Sequence, residues 1–220
     1  GAGELPDRGE GAGARLVFFG RWSGFAMMGH ELRVIWEMSD EIGRGVPQDF
    51  EKAVEWWRKA AEQGDASAQF NLGVAYQEGR GVSKEAAESI KWLRKAAVQN
   101  VTAAEFKLGY AYSHGWGVDQ NYEQALDWYR RAAKHGSAPA MNNLSLAYLK
   151  GRGVDMNRTG AFRWAKMSAE HGNLAAQQKM VVYSLAGIGT AKDYKIALAW
   201  GLVTVKRGVP PEMTGITTRL

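Results

Sequence analysis

The sequence predicts an all-α solenoid built from five helix–turn–helix repeats of 36 residues. Three observations support this prediction: a tryptophan that recurs every 36 residues, two helical patterns in each interval, and a glycine pair between them. A fixed period in this range is typical of stacked units that share one continuous core. The recurring tryptophans are Trp56, Trp92, Trp128, Trp164 and Trp200. Alignment on them gives the repeats 29–64, 65–100, 101–136, 137–172 and 173–208.

The first half of each repeat has the pattern of an amphipathic helix, which we name helix A. In the second repeat Ala68, Leu72, Ala75 and Tyr76 share one face of a helix over 67–78. Two glycines separated by one residue follow each helix A. Because glycine adopts the left-handed conformation at a helix end without a steric penalty, the pair predicts a tight reversal into an antiparallel helix. The pairs are Gly43/Gly45, Gly79/Gly81, Gly115/Gly117, Gly151/Gly153 and Gly187/Gly189.

The second half of each repeat predicts helix B, which contains the tryptophan. In the third repeat Ala125, Trp128, Tyr129 and Ala132 have helical spacing, and alanine pairs in this helix indicate close contact between neighbouring helices. A polar residue precedes each helix B, where aspartate or asparagine can cap the first turn, and glycine or asparagine ends the helix. The preceding residues are Asp49, Glu85, Asn121, Asn157 and Asp193, and the ending residues are Gly64, Asn100, Gly136, Gly172 and Gly208.

Two segments lie outside the repeats. Residues 1–14 are Gly-rich and predict a flexible lead, whereas 16–28 are apolar, with Phe18, Trp22 and Phe25 at helical spacing. We expect residues 1–28 to be a lead followed by a cap on the first repeat, because an uncovered solenoid end exposes its core. A segment that occupies a groove and a disordered remnant are the alternatives. Residues 209–220 begin with two prolines and predict a C-terminal cap, or the truncated start of one.

Composition and motifs argue against several chemistries. The net charge is only +5, and the chain has no cysteine, so disulfides, cysteine–zinc sites and thiol nucleophiles are excluded. No apolar run approaches the roughly 20 residues of a membrane span. The Gly-x-Gly-Val loops lack the strand and third glycine of a dinucleotide site. We therefore expect no catalytic residue, no metal and no cofactor.

The repeat pattern resembles the Sel1-like repeat, a branch of the tetratricopeptide superfamily of α/α solenoids. Residues 72–82 and 108–118 match the first half of that pattern, 89–97 and 125–136 match the second, and the resemblance extends over 29–208. It implies a right-handed superhelix with helix A on the concave side, and an adaptor role in bacterial signalling or at the cell envelope. A periplasmic or secreted location is therefore favoured over a cytoplasmic one. Some cysteine-rich bacterial members bind β-lactams, but their cysteine pairs are missing here.

Two recurring features have a structural and a functional interpretation. The tryptophans are interpreted as core wedges rather than as a stacking platform for sugars or bases. His135 and His171 occupy equivalent positions near the end of helix B, and we interpret them as imidazoles at helix C-termini rather than as a metal pair.

A basic row along the B helices is interpreted as a solvated face rather than as a track for a polyanion. Glu55 precedes Lys59, and Asp127 precedes Arg131, by the four residues of ordinary helix-surface pairing. The row comprises Arg58/Lys59, Arg94/Lys95, Arg130/Arg131 and Lys166.

The remaining face of helix A predicts a partner-binding groove, because large apolar groups alternate there with amides and lysines. Asn71 and Asn143 are expected to hydrogen-bond a peptide backbone, and Lys107 and Lys179 to meet acidic side chains. The alternative is that some of these residues seal the contact between successive A helices. The predicted groove comprises Val34, Met38, Phe70, Asn71, Val74, Phe106, Lys107, Tyr110, His114, Asn142, Asn143, Leu146, Lys179 and Val182.

These observations predict a non-catalytic scaffold that binds a peptide or protein segment in the helix-A groove. One alternative is a binder or hydrolase of cell-wall or β-lactam-type ligands, and the second is an anionic-polymer binder that uses the basic row. We expect a protein partner, no nucleic acid and no membrane span. The chain is expected to be a monomer, or a weak homodimer through its apolar N-terminal segment.

Overall fold

The chain folds as an all-α repeat solenoid, which confirms the fold class predicted from the sequence. The computed structural model describes residues 50–208, which form nine α-helices of 13 residues each and contain no strand. The helices are α1 (Phe50–Glu62), α2 (Ala66–Glu78), α3 (Ala86–Val98), α4 (Thr102–His114), α5 (Tyr122–Lys134), α6 (Ala138–Lys150), α7 (Arg158–Glu170), α8 (Leu174–Ala186) and α9 (Tyr194–Lys206).

The two helix types alternate along the chain. Helices α1, α3, α5, α7 and α9 are the B helices, and α2, α4, α6 and α8 are the A helices of the second to fifth repeats. Each helix packs against its neighbours in sequence, and α4 also contacts α6. The first helix A, with Val34 and Met38, lies outside the described residues, as do the predicted caps and dimer contact at the termini. Within 50–208, no helix has the length and hydropathy needed to cross a membrane.

Side-chain caps fix the starts of most described helices. Asp65 Oδ1 accepts from the Ala68 amide at the start of α2, and Asn121 caps α5 in the same way. Glu85, which precedes α3, makes no such bond. Its side chain is longer than those of the preferred capping residues Ser, Thr, Asp and Asn. The other side-chain caps are Ser137, Asn157, Asn173 and Asp193.

Left-handed residues end both helix types, as the sequence predicts. Gly79 has φ 75° and donates its amide to the Ala75 carbonyl at the end of α2. The residue that ends α3 is Asn100, with φ 63°, the only described non-glycine residue with a positive φ. Asparagine is the next most tolerant residue of this conformation, which explains its place among glycines.

The second glycine of each pair brings successive repeats into backbone contact. Gly153, with φ 70°, lies against the first turn of α5 in the preceding repeat. A Cβ built there would lie 2.6 Å from the Tyr122 carbonyl carbon and 2.8 Å from the Glu123 amide nitrogen. Gly81, Gly117 and Gly189 make the same close approach to the start of a preceding B helix. The reason for this glycine is therefore steric as well as conformational.

The tryptophan row covers the core between repeats. Trp92 is buried, and Trp128 is half-buried and packs against the core residues of two successive repeats. The core interpretation is thus confirmed for Trp92, whereas Trp128 lies at the edge of the core. A cation three residues later lies over each indole in the first three B helices, with the Arg131 guanidinium 4.8 Å from the Trp128 ring.

Most of the basic row is exposed, and several of its residues also have specific partners. Arg58 donates to the hydroxyl of Tyr76 in the next helix A at 2.7 Å. Arg94 and Arg130 make the same bond to Tyr112 and Tyr148. The expected pairing of Asp127 with Arg131 is wrong. Asp127 pairs with Arg130 at 3.2 Å, whereas Arg131 lies over the Trp128 ring and 3.7 Å from Glu105.

A buried polar position near the start of helix A links three helices. Gln69 donates from Nε2 to the Ala61 carbonyl in the preceding helix B at 3.1 Å, and Gln177 does the same to Ala169. Glu105 is the equivalent residue in α4. Its Oε2 lies 2.8 Å from Nδ1 of His135 at the end of α5. His171 instead contacts the Met167 carbonyl at its own helix end.

The steric role of the second glycine can be tested with a matched pair of substitutions. Gly136→Ala places a methyl group in open space. It is expected to lower the free energy of unfolding by about 1 kcal/mol, the penalty for alanine in the left-handed conformation. Gly153→Ala adds an overlap with the α5 backbone, so we expect it to lower the free energy of unfolding by about 3 kcal/mol. Urea unfolding followed by circular dichroism measures both. Equal losses would show that the contact with α5 does not constrain the repeat.

Glu105→Gln is expected to raise the free energy of unfolding by about 1 kcal/mol at neutral pH. Glu105 Oε1 has no hydrogen-bond partner among the described residues and is fully buried. A glutamine amide there would donate to the Ala97 carbonyl, as Gln69 and Gln177 donate at their equivalent positions.

Glu105→Met is the control, because methionine occupies this position in α6 and can make neither bond. Both variants are compared with the wild type by urea unfolding. A glutamine variant less stable than the wild type would mean that the charge interactions of Glu105 with Arg131 and His135 stabilise the fold more than the hydrogen bond that glutamine would donate.

Candidate functional site

An open pocket lies between helices α4, α5 and α6. It has a volume of about 240 Å³. Two successive A helices form its walls, and the intervening helix B forms its floor. Its lining residues are Tyr110, Ser113, His114, Tyr122, Ala125, Leu126, Tyr129, Asn143, Leu146, Ala147 and Arg152. Four of these belong to the groove predicted from the sequence: Tyr110, His114, Asn143 and Leu146.

Packing against a glycine positions the pocket floor. The Tyr129 ring lies against Gly109 of α4, where a Cβ would be 2.5 Å from the ring. The Tyr129 hydroxyl lies 3.1 Å from the Ser113 hydroxyl and also hydrogen-bonds Asn143. Burial raises the pKa of Tyr129 above its usual value of 10, although these hydrogen bonds oppose the shift. The phenol therefore stays neutral and offers hydrogen bonds at the base of the pocket.

One wall consists of stacked rings, and the opposite rim has a cation. The rings of Tyr110 and His114 stack with their centroids 4.0 Å apart, and the Tyr110 side chain is 46% exposed. Arg152, in the loop after α6, places its guanidinium 5.6 Å from the Tyr122 ring centroid. The rim can therefore contact both apolar and anionic groups.

The pocket exists because the lysine of the neighbouring repeats is replaced by a shorter residue. Lys107, Asn143 and Lys179 occupy equivalent positions in α4, α6 and α8. Lys107 Nζ reaches back to Gln77 Oε1 at 2.8 Å, and Lys179 Nζ reaches back to Asn142 Oδ1 at 2.6 Å. Each lysine thereby bridges two A helices. Asn143 is too short to do so, and the space between α4 and α6 stays open.

The other predicted groove residues have mixed surroundings. Phe70 and Phe106 are half-buried and pack against the cores between repeats, with the Phe106 ring 6.0 Å from that of Tyr129. Asn71 and Val74 are half-buried, and Val182 is 51% exposed. Some members of this face therefore pack between repeats, and others lie at the surface.

Burial and like charge affect the lysines of this face. The pKa of Lys179 is lowered to about 8. Burial is the larger cause, and the positive charge of the neighbouring Lys150 is the smaller one. Burial also lowers the pKa of Lys107, but the Glu78 carboxylate opposes that shift. Lys179 therefore has a nearby cation where Lys107 has a nearby anion.

The sequence analysis did not assign seven of the lining residues to the groove: Ser113, Tyr122, Ala125, Leu126, Tyr129, Ala147 and Arg152. Helical phase alone assigned Tyr129 to the core and Arg152 to a turn. A comparison of aligned repeats offers one signal, because Asn143 lies between two repeats that have lysine at the same position, Lys107 and Lys179, although Asn71 shares its residue type. Within residues 50–208, no group of three or more His, Asp or Glu side chains could hold a metal ion.

This solenoid of stacked helical hairpins places the chain among the α/α repeat proteins. The chain belongs to the Sel1 repeat family, as the resemblance predicted, and the family's repeat matches residues 35–65, 66–100, 102–137, 138–173 and 175–201. Members of this family generally act as protein–protein interaction scaffolds and are typically non-catalytic. The chain has no significant match among curated proteins.

Two solved structures are similar over most of the chain. A Sel1 repeat protein from Oxalobacter formigenes is 42% identical over 80% of this chain and 69% of its own, with a TM-score of 0.72. The c5321 protective antigen of uropathogenic Escherichia coli strains, which displays an SLR fold, is 36% identical over 81% of this chain, with a TM-score of 0.75. The match spans only 38% of that antigen's length.

The shifted pKa of Lys179 predicts a pH dependence of stability. The folded protein loses this proton near pH 8, whereas the unfolded chain keeps it to about 10.5. Between these values the unfolded state binds more protons, so the free energy of unfolding should rise with pH. Urea unfolding at several pH values should show a smaller rise for Lys179→Met than for the wild type. Parallel curves for the two proteins would contradict the assigned shift.

Proposed function

We propose that the protein binds an extended peptide or protein segment along the face formed by α2, α4, α6 and α8, and that it acts as a scaffold without catalysis. The observation that supports this is the pocket between α4, α5 and α6, which opens on that face and is lined by apolar, amide and cationic groups. Its volume suits one large side chain rather than a small-molecule ligand, for which cavities are generally larger.

The exposed groups around the pocket provide the remainder of the binding surface. Tyr110 and Val182 are large side chains on the A face that are about half exposed. Apolar groups exposed in a row on a helical surface are typical of interaction sites, and tyrosine is common among residues that dominate binding. The wider groove that we propose comprises Phe70, Asn71, Val74, Phe106, Lys107, Tyr110, His114, Asn142, Asn143, Leu146, Lys179 and Val182.

Members of this set are proposed to act differently. Phe70 and Phe106 shape the walls from partly buried positions, so their truncation would also disturb the core. Tyr110 and Leu146 line the open pocket, where a bound side chain would contact them directly. Variants at Tyr110 and Leu146 therefore separate binding from folding better than variants at the phenylalanines.

Selection from a random peptide library displayed on phage tests this proposal. We expect the wild-type protein to enrich a set of related peptides. The double variant Tyr110→Ala, Leu146→Lys should reduce their affinity about tenfold or more, because it removes an aromatic contact and fills the pocket with a charge. Val98→Lys is the matched control, since Val98 is a 68% exposed side chain on helix B.

Fluorescence anisotropy with the enriched peptides measures the affinities, and thermal melts show whether each variant is folded. The proposal is wrong if no peptide is enriched over background. It is also wrong if the folded groove variant binds the enriched peptides as tightly as Val98→Lys does.

A further inference from the structure

We propose that the ligand is an acidic peptide segment: an apolar side chain enters the pocket, and acidic residues beside it pair with Lys150, Arg152 and Lys179. This inference rests on the peptide-binding function proposed above and specifies the ligand of the same site. Charge, local geometry and the chemistry of the pocket floor support it.

The three cations share a lack of anionic partners. None of Lys150, Arg152 and Lys179 has an ion pair within the described part of the chain. Lys179 donates to an amide oxygen, and Arg152 lies over the Tyr122 ring. Lys150 and Lys179 are also close enough to repel each other. A carboxylate placed between them would attract both lysines, and these two attractions would offset the repulsion between the lysines.

The opposite face of the solenoid differs in this respect. On the B helices Lys91 pairs with Glu88 at 3.0 Å, and Arg130 pairs with Asp127 at 3.2 Å. Arg58 and Arg94 donate to tyrosine hydroxyls of the next repeat. The positive charge that these residues contribute is thus already engaged in the fold. Lys150, Arg152 and Lys179 have no ion pair in the described part of the chain, so an acidic ligand at the pocket can neutralise their charge.

The cations are placed to contact a chain that crosses the pocket. Asn142, Leu146 and Lys150 follow each other at intervals of four residues and therefore share one face of α6. Leu146 lines the pocket, Lys179 contacts Asn142 one turn before it, and Lys150 lies one turn after it. Arg152 lies on the pocket rim just beyond the helix end. Acidic residues on either side of an inserted side chain would reach this set.

The floor of the pocket favours an apolar insert. Ala125, Leu126 and Ala147 contribute carbon surface, and the Tyr129 phenol is neutral and already bonded to Ser113 and Asn143. A charged side chain inserted there would lose its hydration without gaining a counter-charge at the base. The acidic residues of the ligand are therefore assigned to the rim, and the apolar residue to the floor.

The composition of the peptides enriched by the wild-type protein is the first test. We expect aspartate and glutamate to be enriched next to a leucine-like or aromatic residue. The most enriched peptide is then synthesised with a fluorescein label, together with two derivatives. One derivative replaces each acidic residue with its amide, and the other replaces the apolar residue with serine.

Charge reversal of the protein is the second test. Fluorescence anisotropy at low salt should show about tenfold weaker binding for each derivative peptide. Lys150→Glu with Arg152→Glu should abolish the preference for the acidic peptide over its amide derivative. Lys134→Glu with Arg163→Glu makes the same change in net charge on exposed positions of the B helices and should keep that preference. Binding should also raise the pKa of Lys179, as measured by NMR.

The outcomes separate this inference from the proposed function. Enriched peptides without acidic residues, or equal affinity for the amide derivative, would overturn the inference and leave peptide binding intact. A serine derivative that binds unchanged, or displacement by a short DNA duplex at equal charge concentration, would indicate polyanion binding and also overturn it. If no peptide is enriched, the proposed function fails and this inference fails with it.

Discussion

The close backbone contact between each Gly-x-Gly loop and the preceding helix B is the constraint on which the solenoid depends. The second glycine lies where a Cβ would overlap the backbone of the preceding repeat, with separations of 2.0 to 2.8 Å across the four described loops. No other residue fits there, so the distance between successive hairpins is set by backbone atoms. The arginine–tyrosine bonds between repeats and the cores under the tryptophans follow from this fixed distance, because each needs its two partners at one separation.

This constraint explains how the repeats stay similar while one junction remains open. Once backbone contacts fix the hairpins, side chains between successive A helices can vary without changing the stack. Lysines at 107 and 179 bridge their junctions, whereas Asn143 leaves a pocket between α4 and α6. The Tyr129 ring can form the floor because Gly109 has no side chain to occupy the space beside the ring. The site is thus a local variation on a rigid frame, a common origin of binding sites in repeat proteins.

The sequence predicted the repeat, the helix order and the residues that end the helices, because these depend on periodicity and on local backbone chemistry. Asn100 is one example, since its left-handed conformation follows from its place among glycines. The pocket was only partly predictable, because it depends on which side chains are too short to bridge a junction. The contact of Glu105 with His135 joins residues on two helices, 30 positions apart in the sequence. Helical periodicity within each element does not indicate such a contact. Arg131 contacts the Trp128 ring and Glu105 of the preceding helix instead of its expected partner, and these contacts do not follow from helical spacing alone.

The two faces of the solenoid thus use similar charges for different purposes. On the B helices several arginines and lysines lie over indoles, bond tyrosines or pair with carboxylates of the same helix, and the arginine–tyrosine bonds help to hold one repeat on the next. Beside the pocket, Lys150 lowers the pKa of the nearby Lys179, and neither lysine has an ion pair among the described residues. A fold that leaves two like charges close together at an open pocket is less stable than it would be with an anion between them. An acidic partner removes that cost on binding, so the same feature that weakens the free protein favours the complex.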